Sequence, residues 1–273
     1  MEIQSHRLQA DALAYLSRIG YDGELRPSVE TLARLQECHL HTVPFENLDI
    51  IERIPLSLEV PDLIDKVVHR RRGGYCFELN ALFGWLLREL GFSVTDLIAR
   101  FWRGDSYPPP MRSHHVLQVT IGTVQYLCDV GGGGGTPCRP ILLQEGLVQA
   151  QGKECYRVLI DPQFGWVLCG RKQDEWNWLY SFTKEPQLPS DYAMATYWCE
   201  HAPESKFTQN LILAIRTREG RHTVSGDEFR IYIGDEVTSF VPQTQKAYDE
   251  ALLTYFGIEQ AQNRMIPLNA QRR

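Results

Sequence analysis

The chain is predicted to be an α+β protein: an N-terminal helical bundle, an antiparallel sheet or barrel, and a mixed C-terminal part. Three observations predict it. Through residue 92, apolar residues recur at helical spacing. Short segments at 93–102, 115–121, 124–130, 155–161 and 165–169 are rich in Val, Leu, Thr and Tyr and are separated by turn residues. The last part carries both patterns. With 273 residues the chain exceeds what one small core needs, so two or three packed units are expected.

The elements follow in order. Residues 8–19 place Leu8, Leu13, Leu16 and Ile19 on one face, and Gly20 ends the run. A second helix follows Pro27 and Ser28, with Leu32, Leu35 and Cys38 inward. A third covers about 61–70, and a fourth runs from Cys76 to Leu90, stopped by Gly91. Tyr107-Pro108-Pro109-Pro110 cannot join a sheet interior and is a loop. Strands near 209–216 and 229–234 are joined through the turn-like TREG and VSGD, and a helix near 244–256 closes the pattern. No internal repeat occurs.

Composition narrows the function. Net charge is −6 and the pI is about 5.8, which disfavours nucleic acid as the main partner. An anionic cofactor could meet Arg103, Arg112, Arg139, Arg171 and Lys172, although such scattered charges usually form a solvated surface. No run of eighteen apolar residues predicts a membrane span, and the N-terminus does not read as a signal peptide. Seven cysteines without a CxxC pair predict a reducing cytoplasm rather than a disulfide framework, and no zinc site.

One cysteine stands out in RRGGYCFELNALFGWLLRELGF. Gly73 and Gly74 allow a tight approach, and a helix starting at Cys76 would set its sulfur against unsatisfied N–H groups that favour thiolate. The competing role is a small buried hydrophobe. A nucleophilic thiol needs an imidazole and an orienting acid, and RSHHVLQVTIGTVQYLCDVGGGGG offers both. Gly122-Thr123 suits a two-residue hairpin turn. In that register Ile121 faces Val124 and Val116 faces Asp129, so His114 shares a face with Asp129 while His115 points away. A three-residue turn would select His115 instead. The five glycines at 131–135 precede Thr136 and Pro137, which argues against a dinucleotide fingerprint, and no GK[ST] follows for a P-loop. They read as backbone approaching a ligand or a neighbouring strand, or as a surface turn.

Taken together, YLSRIGYDG, HLHTVPFENLDI, RRGGYCFELNALFGWLLRELGF, SHHVLQV and YLCDVG, with a looser match at SKFTQN, resemble the arylamine N-acetyltransferase family. The resemblance implies a catalytic triad of Cys76, His114 and Asp129 on a cysteine-protease-like core. It implies a helical bundle over 1–92, a β-barrel over 93–195 and an α/β lid over 196–273. It implies acetyl-CoA as donor and arylamines, arylhydrazines or arylhydroxylamines as acceptors; composition and cysteine usage add the expectation of no metal, nucleic acid or membrane partner and a cytoplasmic location. Phe45, Ser113 and Gly132 are the expected substrate-side residues, and Glu46 and Arg72 an expected structural brace. Where the family usually has an aromatic or small polar residue in DVGFG, this chain has Gly132, which predicts more room for bulky acceptors. An amide synthase acting on a larger acyl thioester, a thiol hydrolase and a non-catalytic CoA or aromatic binding protein are the alternatives.

Overall fold

A computed structural model describes residues 2–102 and 108–259, with the side chains of residues 2–9 outside that description. Leu8's side chain, Arg103 and Tyr107 therefore lie outside the described residues. Helix α1 (Glu2–Arg18) buries Ala12, Tyr15 and Leu16, and Ile19 just beyond it is also buried; the chain turns at Gly20, whose φ is +66°. Leu13 is 61 % exposed, contrary to expectation. The stripe 12, 15, 16, 19 has i, i+3, i+4, i+7 spacing, and Leu13 falls a third of a turn outside it. Helix α2 (Val29–Thr42) opens where Ser28 Oγ accepts the Thr31 N–H at 3.1 Å. It buries Leu32 and Leu35, with Cys38 half-buried at the margin. Strand β1 (Phe45–Glu46) and helix α3 (Leu48–Ile51) follow. Helix α4 (Val60–Leu63) widens into a π-helical stretch, Ile64–His69, and α5 (Cys76–Glu89) completes the helical part.

Among the described residues eight strands form the middle: β2 (Ser93–Phe101), β3 (Arg112–Ile121), β4 (Val124–Cys128), β5 (Ile141–Leu142), β6 (Gln149–Gln151), β7 (Glu154–Asp161), β8 (Gly165–Lys172) and β9 (Glu175–Phe182). Every pairing is antiparallel, in the order β5-β4-β3-β2-β9-β8-β7-β6. The sheet curls into a nearly closed barrel whose seam is bridged by side-chain amides. Gln149 exchanges hydrogen bonds with the Leu142 backbone at 2.8 and 3.0 Å, and Gln151 with the Arg139 backbone at 2.9 Å each. Each glutamine thus imitates a neighbouring peptide and blunts an otherwise open edge. Leu97, Ala99, Val116, Leu127, Val158, Leu168 and Tyr180 fill the lumen. Leu117 and Val119 point the other way, into the core shared with α1, α2 and α5. This alternation on β3 decides where each histidine goes.

Helices α6 (Ala193–His201) and α7 (Lys206–Gln209) lead to strands β10 (Ile212–Arg216), β11 (Gly220–Ser225), β12 (Glu228–Ile233) and β13 (Glu236–Phe240), and to helix α8 (Gln245–Phe256). The two expected C-terminal strands are thus part of a larger sheet, because TREG and VSGD bracket β11 between them. Its order is β1-β10-β11-β12-β13. Strand β1, from the helical part of the chain, closes one edge, with Phe45 opposite Ala214 and Glu46 opposite Leu213. Tyr248, Leu252 and Phe256 of α8 cover the sheet over Leu213, Val224 and Phe229. Among the described residues, no helix is long and apolar enough to cross a membrane.

Candidate active site

Cys76 is the first residue of α5 and is 2 % exposed. Glu78 fixes this helix start by accepting the Tyr75 N–H at 3.1 Å. The sulfur therefore sits at the positive end of the helix. Its thiol donates to the Ser113 carbonyl at 3.6 Å. Ser113 is presented by a bulge: Ala99 pairs with His114 and Arg100 with Arg112, leaving Ser113 as the extra residue.

The hairpin adopts the two-residue register, with Ile121 opposite Val124, Leu117 opposite Cys128, and Gly122 at φ +61°. Asp129 follows β4 directly. His114 Nε2 lies 2.8 Å from Asp129 Oδ2, and both residues are buried. The imidazole is clamped edge-on by Phe101 at 5.0 Å and packed by Tyr180 at 5.2 Å between centroids. His115 faces the helices, 3.0 Å from Asp96 Oδ1 and 4.5 Å from the Tyr192 ring centroid.

Burial alone would push His114 down, but the Asp129 charge and hydrogen bond, with hydrogen bonding to Cys76, raise it to about 10. Burial likewise pushes Asp129 up, yet His114, Asn80 and the Gly131 N–H outweigh it and hold the carboxyl below its usual range. With Nε2 engaged by Asp129, Nδ1 is the ring nitrogen left to exchange a proton with the thiol. Thiol, imidazole and carboxylate in this order can generate a thiolate nucleophile and a proton donor.

Asn80 was not foreseen. It lies four residues after Cys76 on the same helix face and is fully buried. Its amide donates to Asp129 Oδ1 at 2.9 Å and to the His115 carbonyl at 2.7 Å, and its oxygen accepts the Val130 N–H at 2.9 Å. A lone amide within CFELNALFGWLL was the available signal, since a polar group in an apolar helix face needs a buried partner. The glycine run begins pressed against this helix. A Cβ on Gly131 would stand 2.6 Å from Cys76 Cα and 2.7 Å from Asn80 Nδ2.

Gly132 does not open the space expected of it. A Cβ there would meet Thr136 Cγ2 at 1.9 Å and Asp129 Oδ2 at 2.8 Å, so the Thr136 methyl already fills that direction. Phe45 is buried, bridges to Gly74 and packs on Phe207 at 6.2 Å. Glu46 and Arg72 meet at 2.8 Å, and the pair extends into a buried chain. Arg72 also holds Asp49 at 3.0 Å, Lys66 bridges Asp49 at 2.7 Å and Glu78 at 2.8 Å, and Glu78 caps the Cys76 helix. Among the described residues, no group of three or more His, Cys, Asp or Glu could hold a metal ion, and all seven cysteines are free.

A family model described as N-acetyltransferase matches residues 28–265. The chain is 36 % identical to an arylamine N-acetyltransferase of Mycolicibacterium smegmatis, over 91 % of this chain and 92 % of that protein. It is 34 % identical to an arylamine N-acetyltransferase / N-hydroxyarylamine O-acetyltransferase of Salmonella typhimurium, over 90 % and 88 % respectively. The solved structure of Mycobacterium marinum arylamine N-acetyltransferase in complex with CoA superposes with a TM-score of 0.84 at 35 % identity, covering 90 % of this chain and 92 % of that one.

Proposed function

Because the chain belongs to the arylamine N-acetyltransferase family, we propose that it moves an acetyl group from acetyl-CoA to an aromatic amine, hydrazine or hydroxylamine in two displacements through an acetyl-Cys76 intermediate. The observation that carries this is the buried sequence Cys76, His114, Asp129, with the His114–Asp129 contact at 2.8 Å. Similarity to a relative solved with CoA supports the donor, and a relative named for N- and O-acetyl transfer supports both acceptor atoms.

In the first displacement the Cys76 thiolate attacks the acetyl carbonyl carbon, the carbon–sulfur bond to CoA breaks, and the leaving thiolate takes the proton held by His114. In the second, the acceptor nitrogen or oxygen attacks the acetyl-cysteine, its proton passes to neutral His114, and Cys76 leaves as thiolate. Asp129 holds the ring orientation throughout. The Cys76 backbone N–H, at the open end of a helix, is the candidate donor to the oxyanion. In this reading the part over 1–92 brings the nucleophile, 93–195 brings the imidazole and acid on a cysteine-protease-like core, and 196–273 closes over them. Phe45, Ser113 and the backbone at Gly132 border the acceptor side. The thiol chemistry suits a reducing cytoplasm.

Incubation with acetyl-CoA alone, followed by peptide mass spectrometry, tests the reading. An adduct of about 42 Da, one acetyl group replacing a proton, belongs on the Cys76 peptide and is absent from Cys76→Ser. Acetyl on Cys38, Cys128 or another thiol, with turnover intact in Cys76→Ser, would sink it.

A further inference from the structure

The bulge that turns the Ser113 carbonyl toward Cys76 also turns Arg112 away from His114. Arg112 pairs with Arg100, and Arg100 pairs on its other side with Ser181, so three neighbouring strands set these side chains on one face. Ala99, one residue before Arg100, points into the lumen, so this shared face is the outside of the barrel. With Gln163, Phe164 and Thr183 they line a cavity of about 150 Å³.

The lining is rich in donors. Burial and the neighbouring Arg112 charge both lower Arg100, so two like charges face one another. Among the described residues no carboxylate offsets the charge of Arg100, whose Nη1 donates to the Pro110 carbonyl at 2.6 Å. Ser181 is 1 % exposed and its oxygen already accepts from Trp102 Nε1 at 2.9 Å, which leaves its proton to give. Among the described residues, Thr183 Oγ1 is buried without a partner. Two cations and two hydroxyls around one small space match a tetrahedral oxyanion, which accepts several charge-assisted hydrogen bonds at once.

We propose that the Arg100–Arg112 cavity is a phosphate-binding site, filled by a phosphate of the acyl-CoA donor or by free phosphate. The first source rests on the transferase reading. The donor carries its phosphates at the far end of a flexible arm from its thioester. Arg112 and His114 flank Ser113 at the same strand end, so an arm crossing that end joins the cavity to Cys76.

The test uses the full chain as wild type, Arg112→Gln and Thr183→Val, each with its melting temperature recorded. Titration calorimetry with inorganic phosphate reads the cavity directly. The ratio of kcat/KM for acetyl-CoA to that for S-acetylpantetheine, which has the thioester and no phosphate, reads the donor. If the donor's phosphate binds here, that ratio falls about tenfold in Arg112→Gln through a raised KM for acetyl-CoA. If free phosphate is the occupant, wild type binds it, both variants lose it, and the ratio holds. An unchanged ratio with phosphate binding absent, or equal in all three proteins, overturns the site. Should wild type use neither donor, the transferase reading fails, while the phosphate titration still decides the cavity.

Discussion

Asn80 reaches from the helix that begins at Cys76 to Asp129, its amide nitrogen 2.9 Å from the carboxylate that holds His114. One side chain thereby ties the nucleophile's helix to the acid. Asn80→Ala leaves Asp129 Oδ1 short of a donor and strands the buried Val130 N–H and His115 carbonyl. Unsatisfied buried groups cost about 1–3 kcal/mol each. The expected outcome is a clear drop in melting temperature with kcat lowered about tenfold or more. A variant that melts lower yet keeps full kcat would restrict Asn80 to the fold.

The two adjacent histidines separate by role. His114→Ala should lower kcat/KM by at least ~100-fold, the scale of lost general acid–base catalysis. His115 packs on Tyr192 and bonds Asp96 on the opposite face, so His115→Ala should lower stability more than turnover. Steady-state kinetics and thermal melts on both variants check this, and a reversed ranking of kcat/KM would refute it.

Why the hairpin was legible and Asn80 was not follows from range. Gly122-Thr123 is a local turn, and period-2 alternation carries its register to His114 and Asp129 with no long-range information. Asn80 acts through residues 35 to 50 positions away. Strand β1 has only two residues, too few for any periodicity, yet it joins a sheet at β10. The Glu46–Arg72 pair was legible as a pair, but Asp49, Lys66 and Glu78 complete it only because α3, the π-helical turn and α5 converge. At Gly132 a missing side chain read as free volume, because sequence does not show that a neighbour four residues on has taken it.

Gly132 gives the third prediction. Since a Cβ there collides with Thr136 Cγ2, Gly132→Ala should destabilise the loop and disturb Asp129 rather than shrink the acceptor space. Thr136→Ser removes the colliding methyl and keeps the hydroxyl that bonds Gly133. The double variant Gly132→Ala/Thr136→Ser should therefore recover part of the melting temperature, while the remaining contact with Asp129 Oδ2 keeps the acetylation rate below wild type. A double-mutant cycle showing plain additivity would mean the two positions do not touch.

The last prediction concerns Glu78, buried two residues after Cys76. Burial lifts it to about 7 against the pull of Lys66, with Glu46 adding to the rise and the Tyr75 N–H opposing it. In the unfolded chain a glutamate titrates near 4.5. Between these values the native state keeps a proton that the unfolded chain has released, so stability falls as pH rises from 4.5 to 7. His114 acts in a higher window: its partner-derived stability is complete below 6.5 and is lost as pH climbs toward 10. Glu78→Gln keeps an acceptor for the Tyr75 N–H but cannot titrate. Its melting temperature should stay flatter than wild type between pH 4.5 and 7, while both proteins lose stability alike above pH 7. Thermal melts at half-unit steps from pH 4.5 to 9 resolve the two windows. Parallel curves through the lower window would show that Glu78 stays ionised beside Lys66, and that the charge chain from Arg72 to the Cys76 helix carries no proton of its own.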